Sequence, residues 1–358
     1  MAASRRGGIF VPVAAHQAQT RGADGVQRSE NVSAGGTLGA ADARATGNTA
    51  GPVDMRSAGD RAGTVGSDAD AWPLACPVCG RGLRRRPGAL GCSAGHAFDI
   101  AREGYVNLLP SQHKTRGIVG DVPEMLHARR RFLERGYFRP LLELLTREVE
   151  RALPEPDTAP AGSDGRACVL EVGSGEGYYI GSIAQGPAGV GATVFLGADL
   201  SKSAARLAAK RYPHATFIVD DVNRGICVEG GTVSALLDIF APRNPAEFAR
   251  VLAPDGVALV VIPSDAHLAS ARTRLGLLDI QQDKERQVLD RFAIGFALSE
   301  RTELRYPIEL DAEAANDLAQ MGPSYWHQSE EHASLVGQPL ATEASFVILR
   351  LHKTADAS

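Results

Sequence analysis

The sequence contains no apolar run long enough to cross a membrane, and it has few cysteines for its length. Hydrophobic residues make up 44% of the 358 positions, but no run reaches the roughly 18–20 residues that a bilayer requires. Five cysteines in such a chain are too few for a disulfide scaffold. These absences exclude transmembrane proteins and small disulfide-rich domains, and we expect a cytoplasmic protein with no membrane partner.

Residues 1–70 lack the side chains that build a core. They contain no lysine and one aromatic residue, and small residues dominate. Such a composition does not offset the entropy of ordering, so it predicts a disordered extension, or a start codon assigned too far upstream. Arg5 and Arg6 precede the apolar stretch Ile9–Ala15, as in an export signal, but this stretch is short and Pro12 interrupts it.

The net charge of −4 is unevenly distributed along the chain. Residues 1–70 are neutral, residues 71–150 hold thirteen Lys or Arg against eight Asp or Glu, and the remainder has a net charge of −9. Length alone is compatible with two domains. The division of charge predicts a basic module followed by an acidic body.

The basic module contains a cluster of metal-ligating residues. Three of the five cysteines lie within seventeen positions and are joined by a histidine at finger-like spacing. The candidate ligands are Cys76, Cys79, Cys92 and His96. Thiolate and imidazole suit Zn²⁺, and four protein ligands leave no open position, so we predict a structural zinc site. The alternatives are a chance cluster of thiols and a redox pair of Cys76 with Cys79.

Basic and aromatic side chains surround this cluster. The basic ones include Arg81, Arg84, Arg85, Arg86 and the triplet Arg129–Arg131, and the aromatic ones include Phe98, Tyr105, Phe132, Tyr137 and Phe138. Basic groups with stacking rings nearby suit a single-stranded or looped RNA. Charge runs are also common on solvated surfaces, and that alternative stays open for each arginine.

The acidic body begins with a strand, a glycine turn and a helix. The apolar run Ala167–Val172 leads into three alternating glycines, Gly173, Gly175 and Gly177. A second predicted strand, Thr193–Ala198, ends at Asp199. Strands that alternate with helices predict an α/β fold with a doubly wound parallel sheet, which binds ligands at the carboxyl ends of its strands.

The glycine spacing separates two classes of ligand. A dinucleotide fingerprint needs a third glycine at position 178, where this chain has Tyr178. The G-x-G-x-G spacing instead resembles motif I of class I S-adenosylmethionine-dependent methyltransferases. In that case Asp199 can accept the ribose hydroxyls, and Asp221, after the third predicted strand Thr216–Val219, would meet the adenine edge. An NAD-binding domain is the alternative.

Taken together, these segments resemble the RlmA group of 23S rRNA guanine-N1-methyltransferases. The resemblance rests on the cysteine and histidine cluster, on residues 95–110, on Ala128–Leu133 and on Val169–Tyr179. It runs from about Ala75 to about Leu351. Two later segments, Ile239–Pro245 and Met321–Gln328, are similar to the macrolide-resistance branch of the group, typified by the tylosin-resistance enzyme. That branch modifies a guanine in a domain II hairpin that lines the peptide exit tunnel.

The resemblance implies a seven-stranded methyltransferase sheet, an N-terminal zinc ribbon, and S-adenosylmethionine and Zn²⁺ as cofactors. The implied zinc ligands are the four residues of the metal cluster. The motif spacing and the resemblance together predict nine cofactor-binding residues, which are Phe138, Gly173, Gly175, Glu176, Gly177, Asp199, Leu200, Asp221 and His267. The family has a tyrosine where this chain has Phe138. A 23S rRNA hairpin is the implied partner, and a homodimer is possible by analogy although no motif indicates one.

The division of the chain follows from these assignments. We predict an extension at 1–70, a zinc-ribbon RNA-recognition module at 71–112, a helical linker at 113–165 and a methyltransferase domain at 166–355. Two other functions stay open, an NAD-dependent oxidoreductase with a structural zinc and a non-catalytic zinc-ribbon RNA-binding protein. Tyr178 argues against the first, and the intact glycine turn with Asp199 argues against the second.

The catalytic residues are less clearly marked. Guanine N1 carries a proton at neutral pH, so a carboxylate or an imidazole must accept it while the base is held in line with the methyl group. The candidates near predicted strand ends are Asp265, His267, Trp326 and His327. Of these, Trp326 is the candidate for stacking on a guanine that has left its helix.

Overall fold

The computed structural model describes residues 71–109, 121–154, 166–189, 193–327 and 338–354. The extension predicted at 1–70 lies outside the described residues, as do parts of the linker predicted at 113–165. Among the described residues, no helix is both long enough and apolar enough to cross a membrane. All five cysteines are described, and all are free thiols.

A small antiparallel sheet forms the first folded part of the chain. Its strands are β1 (Ala71–Ala75), β2 (Gly82–Arg86), β3 (Ala89–Gly91) and β4 (Ala97–Asp99), paired in that order. Gly88 has a φ of 72° in the turn between β2 and β3, where a side chain would be strained. Short strands joined by glycine turns are the expected build of a zinc ribbon.

Two amphipathic helices follow the small sheet. These are α1 (Pro123–Glu134) and α2 (Arg139–Ala152), and each has a proline in its first turn. A proline there loses no hydrogen bond, because the first amides of a helix have no partner within it. Each helix buries one apolar face, which includes Phe132 in α1 and Leu145 in α2. Both helices lie within the segment 113–165, for which the sequence predicts a helical linker.

The main sheet contains eight strands among the described residues. They are β5 (Val106–Asn107), β6 (Cys168–Val172), β7 (Val194–Asp199), β8 (Thr216–Val219), β9 (Val233–Ile239), β10 (Leu252–Pro263), β11 (Phe296–Leu310) and β12 (Leu340–Lys353). Their order is β11-β12-β10-β9-β6-β7-β8-β5. β12 runs antiparallel to β10 and β11, and the other pairs are parallel.

Helices connect the strands of the main sheet. They are α3 (Tyr178–Gln185), α4 (Lys202–Arg211), α5 (Pro245–Val251), α6 (Ala269–Leu275), α7 (Lys284–Phe292) and α8 (Ala312–Gln320), with short 3₁₀ helices at Pro187–Gly189 and Pro323–His327. Ser201 caps α4, as its position before the helix predicts, because its side chain accepts the amide of Ala204.

The predicted α/β class is confirmed, but the strand count differs from seven. The segment 166–354 supplies seven strands, and β5 adds an eighth by pairing with β8. Because β5 follows the ribbon directly, this pairing joins the ribbon to the edge of the main sheet. A two-residue strand carries no periodic signal, so the sequence does not predict it.

Both faces of the main sheet are covered. Successive residues of β6 alternate between two buried clusters, with Val169 in one and Leu170 in the other. Helices α1, α2, α3, α4, α6 and α8 contribute to the first cluster, and α5, α7 and the ribbon contribute to the second. The ribbon thus takes the place of a covering helix, and its Leu74 forms a bridge with Val228.

Candidate functional site: a metal cluster and a cavity at the strand ends

The four predicted metal ligands converge at one end of the small sheet. All four ligand atoms lie within 4.8 Å of one another. The Cys79 and Cys92 sulfurs are 3.7 Å apart, and His96 Nδ1 lies 3.4 Å from the Cys92 sulfur and 3.6 Å from the Cys76 sulfur. A tetrahedral zinc ion with bonds of about 2.3 Å to sulfur and 2.05 Å to nitrogen requires separations of about 3.8 and 3.6 Å. The donors therefore fit Zn²⁺.

Two similar turns present these ligands. After Cys76 the chain turns back so that the Gly80 amide donates to the Cys76 carbonyl, and after Cys92 the Gly95 amide does the same. Gly80 and Gly95 have φ values of 70° and 89°. Glycine is required at such positions because other residues are strained there. The paired turns leave no ligand position for a substrate, as expected for a structural metal.

The glycine turn after β6 is tightly packed. Gly173 has a φ of 65°, and a Cβ built on it would lie 2.6 Å from the Ala241 Cβ. Gly177 has a φ of 81°, and a Cβ there would lie 2.7 Å from the Phe217 ring. Both glycines are therefore needed for space as well as for backbone conformation. Their close packing brings the backbone of the turn to the carboxyl end of the sheet.

A cavity of about 470 Å³ opens at this end of the sheet, within the usual size range for small-ligand pockets. We call it the sheet-end cavity. The residues that line it are Asp121, Arg129, Leu133, Phe138, Glu171, Gly173, Ser174, Gly175, Glu176, Tyr178, Tyr179, Ala198, Asp199, Leu200, Asp220, Asp221, Val222, Asn223, Ile239, Phe240, Ala241, Pro242, Met321, Gly322 and Pro323. Seven of the nine expected cofactor-binding residues are among them. Gly177 and His267 are not.

Asp199 ties the second strand to the glycine turn. One carboxylate oxygen accepts the Gly175 amide at 2.8 Å, and the other accepts the Ser201 amide at 2.7 Å. Burial raises the pKa of Asp199, and these two hydrogen bonds oppose that effect. The carboxylate thus holds the turn in shape at the wall of the cavity, where a diol could also reach it.

The two acidic residues after β8, Asp220 and Asp221, make different hydrogen bonds. Asp220 accepts the amides of Cys227 at 2.7 Å and Asp221 at 2.9 Å, and burial raises its pKa to about 6. Asp221 accepts the Asn223 amide at 3.1 Å. Both line the cavity beyond Asp199. Asp220 therefore shapes the turn, while Asp221 stays the predicted contact to an adenine edge.

Glu176 carries a buried oxygen that has no hydrogen-bond partner within the described part of the chain. Its Oε2 lies 4.0 Å from an Arg129 nitrogen, beyond hydrogen-bond distance, and the residue lines the cavity. Burial raises its pKa, and Arg129 opposes this shift. A buried carboxylate oxygen without a partner is costly, so this atom marks a position that a ligand donor would satisfy.

Comparison with known proteins identifies the family. Residues 74–116 match the family model of the N-terminal zinc ribbon of RlmA. A 23S rRNA (guanine(748)-N(1))-methyltransferase of Streptomyces fradiae is 36% identical over 258 residues, which cover 72% of this chain and 87% of the relative. A 23S rRNA (guanine-N1)-methyltransferase of Micromonospora griseorubida is 38% identical over 264 residues, with 71% and 87% covered. The chain belongs to the RlmA family of 23S rRNA (guanine-N1)-methyltransferases.

The RlmA resemblance drawn from the sequence is thereby confirmed, as are S-adenosylmethionine as methyl donor and Zn²⁺ as structural metal. A relative in Bacillus subtilis strain 168 is 30% identical over 270 residues, covering 73% of this chain and 89% of its own length. A solved methyltransferase of Thiobacillus denitrificans, bound to S-adenosylhomocysteine, is 17% identical, covers 66% of this chain and 100% of its own, and has a TM-score of 0.37. At that score the likeness supports no conclusion by itself.

Of the four catalytic candidates of this RlmA-family chain, Asp265, His267 and Trp326 do not line the sheet-end cavity. Asp265 is exposed, and its carbonyl accepts a hydrogen bond from Arg272. Trp326 is 55% exposed, and its ring packs edge-on against Tyr325. The side chain of His327 is not among those that the structure describes. The sequence placed these residues near strand ends, but proximity along the chain does not decide which side chains reach the cavity.

His267 lies behind the cavity wall. Its Nδ1 accepts the amide of Ser345 at 3.1 Å, and its ring packs 4.6 Å from Phe346 and 5.8 Å from Phe138. Burial lowers the pKa of His267 to about 3, and Arg272 adds to this effect. An imidazole that is neutral and already accepts a hydrogen bond is a weak proton acceptor. In this structure His267 supports Phe138, which lines the cavity.

The arginine triplet of α1 makes bonds within the chain, although the Arg131 side chain is half exposed. Arg130 donates to the Leu207 carbonyl at 3.2 Å, and Arg131 pairs with the buried Asp317 at 2.5 Å. Arg129 donates to the Met321 carbonyl and pairs with Asp121 at 2.6 Å. Each guanidinium is thus bonded within the chain, and a contact of this triplet with RNA stays a prediction.

Several of the aromatic residues predicted as stacking groups also have a different role. Tyr105, Phe132 and Phe138 are at most 6% exposed and belong to the core of the main sheet.

The sequence alone missed Arg129 and Phe240 as cavity residues. The only signal for them was their place in segments similar to the RlmA group, since neither shows a spacing that predicts chemistry.

Proposed function

We propose that this protein transfers a methyl group from S-adenosylmethionine to N1 of a guanine in a domain II hairpin of 23S rRNA. The hairpin lies near the macrolide site of the exit tunnel, and the modification confers or modulates macrolide resistance. The observation that carries this proposal is the set of residues that line the sheet-end cavity. Both segments similar to the macrolide-resistance branch, Ile239–Pro245 and Met321–Gln328, contribute residues to it.

S-Adenosylmethionine supplies a methyl group bonded to a positively charged sulfur. In the proposed arrangement Asp199 accepts hydrogen bonds from the ribose of the cofactor, and Asp221 contacts its adenine edge. Glu176 Oε2 accepts a hydrogen bond from its amino group. These residues follow β7, β8 and β6, so they bind one cofactor along the carboxyl edge of the sheet. Their shared burial excludes water from the contacts and strengthens them.

Methyl transfer forms the bond from N1 to carbon, breaks the bond from sulfur to carbon with its electron pair left on sulfur, and releases the N1 proton. The protein contributes mainly by holding the two reactants in line. His267 and Asp265 do not reach the cavity, so neither accepts this proton directly in the arrangement described. A cytoplasmic enzyme with access to assembling ribosomes fits this reaction.

The ribbon provides the proposed RNA contact. Arg81, Arg84, Arg85 and Arg86 are exposed on it, and of these Arg81 also donates to Ser93 and Arg86 to the Cys92 carbonyl. Exposed guanidinium groups on a small rigid sheet suit phosphate contacts to a hairpin. Strand β5, which follows the ribbon, pairs with β8 up to its last residue, Val219. A hairpin bound to the ribbon would therefore lie near the cavity.

Mass mapping of 23S rRNA tests the proposal. We expect rRNA from cells that make the protein to gain one methyl group on a domain II guanine, and rRNA from cells that make Asp199→Ala to lack it. Growth of the same cells on a macrolide measures resistance. A methyl group on another base, or no change with the protein present, would contradict the proposed function. Light scattering of the purified protein tests the homodimer, which stays a prediction.

A further inference from the structure

Phe240 is an exposed aromatic residue in a strained backbone conformation at the sheet-end cavity. Its φ is 56°, in the left-handed region that bulky residues rarely adopt. Its side chain is 44% exposed and lines the cavity. Of the described residues, it alone joins a positive φ, an exposed ring and a place in this cavity. Strain of this kind persists where the surrounding structure enforces it, and it clusters at functional sites.

Phe240 directly follows strand β9, and this position places it near the sulfonium end of a bound cofactor. Phe240 follows β9, which neighbours β6, and the next residue, Ala241, packs directly against Gly173 in the glycine turn. Asp199 and Asp221 follow β7 and β8, on the other side of β6. A cofactor whose ribose and adenine occupy the side of those acids extends its sulfonium end toward β6 and β9. Phe240 therefore lies at the end where the methyl group is transferred.

The ring of Phe240 is supported from below and open above. It packs 5.8 Å from the ring of Phe346, at an angle of 39°. Phe346 is fully buried and packs edge-on against Phe138 at 5.0 Å. Two buried rings thus support a third ring that keeps 44% of its surface exposed. A rigid aromatic face of this kind suits stacking on a nucleobase.

We infer that Phe240 stacks on the target guanine and orients N1 toward the transferable methyl group. This inference rests on the proposed function and specifies which residue holds the base. It assigns Trp326 a different place, because Trp326 does not line the cavity, although Met321–Pro323 of the same segment do. Trp326 would then meet the hairpin at the entrance, and Phe240 would meet the guanine inside.

Two replacements separate the stacking role from a structural one. Phe240→Gly and Phe240→Leu both remove the ring, but only glycine relieves the positive φ. We expect the glycine variant to have a thermal midpoint no lower than that of the leucine variant. We expect both to bind S-adenosylmethionine within twofold of wild type. On a transcript of the 23S rRNA domain II, kcat/KM should fall about ten- to hundredfold, the range for loss of one base-stacking contact.

Phe240→Tyr should restore most of the activity, since it keeps the ring. Leu298→Ala, at a comparably exposed site on β11, is the matched control and should behave as wild type. Full activity of Phe240→Gly would overturn the inference while leaving the proposed function intact. A tenfold loss of cofactor affinity in that variant would also overturn it, because the ring would then cover the cofactor. Absence of methyl transfer by the wild-type protein would instead refute the proposed function, and the inference with it.

Discussion

Arg129 donates two hydrogen bonds to the carbonyl oxygen of Met321, which lies 192 positions later in the chain. The same guanidinium pairs with Asp121 at 2.6 Å and lies 4.0 Å from Glu176. Arg129 thus connects α1 to both walls of the sheet-end cavity, the glycine turn on one side and the segment that carries Trp326 on the other. The connection is partly exposed to solvent, since a quarter of the Arg129 side chain is accessible.

Replacement of Arg129 by methionine should loosen both walls. The change leaves the Met321 carbonyl and the Asp121 carboxylate without their donor and removes a positive charge near Glu176, and hydrogen bonds to charged groups are worth roughly 1.5–3 kcal/mol each before screening. We expect unfolding free energy to fall by about 2 kcal/mol and kcat on rRNA to fall more than the cofactor affinity. Urea titration and calorimetry with S-adenosylmethionine measure the two effects. Arg130→Met, which loses one hydrogen bond to Leu207, is the control. Equal behaviour of the two variants would contradict the prediction.

Loss of one zinc ligand should remove the metal without disturbing the methyltransferase core. Cys79 is exposed, so Cys79→Ala deletes a ligand and no core packing. We expect the zinc content to fall from one ion per chain to near zero, and binding to a 23S rRNA hairpin to weaken more than binding of S-adenosylmethionine. Elemental analysis and filter binding measure these quantities. Cys168→Ala, in the buried β6, should keep its zinc. A Cys79→Ala protein with a full zinc complement would show that the assignment is wrong.

Asp199→Asn should weaken cofactor binding. The carboxylate accepts two amides, from Gly175 and Ser201, and an amide side chain can accept only through one oxygen. We expect the Kd of S-adenosylmethionine to rise about ten- to hundredfold, because a charge-assisted hydrogen bond is worth roughly 1.5–3 kcal/mol. Calorimetry measures the change. Asp290→Asn, at an exposed site on α7, should leave the Kd unaltered, and an unaltered Kd for Asp199→Asn would count against the proposed role.

Asp238 should make stability depend on pH. Burial raises its pKa to about 7, and Arg243, 3.3 Å away, opposes this shift. An acid whose pKa is raised by folding stabilises the folded state below its unfolded pKa of 3.8, and this contribution is lost as the pH rises to about 7. Between pH 3.8 and about 7, we expect the unfolding free energy of the wild-type protein to fall by up to about 4 kcal/mol relative to that of Asp238→Asn. Denaturation at pH 4.5 and 7.5 measures the difference. Parallel pH profiles for the two proteins would contradict the prediction.

The amino-acid sequence was sufficient for features that depend on local spacing. The zinc ligands converge because each pair sits on one short turn, and the glycines that permit those turns lie between or beside them. The glycine turn, Asp199 and Asp221 follow three strands in order. Since parallel strands end at the same edge of a sheet, their sequence positions already place them in one cavity.

The tertiary structure alone decided which side chains reach that cavity and which are engaged elsewhere. The pairing of Arg131 with Asp317, 186 positions later in the chain, depends on the packing of α1 against α8. The exposure and strain of Phe240 depend on Phe346, which its ring contacts, and on the packing of the next residue, Ala241, against Gly173. Burial and long-range pairing follow from which surfaces meet, and no local spacing encodes them. The same reason explains why β5, two residues long, became the eighth strand of the sheet.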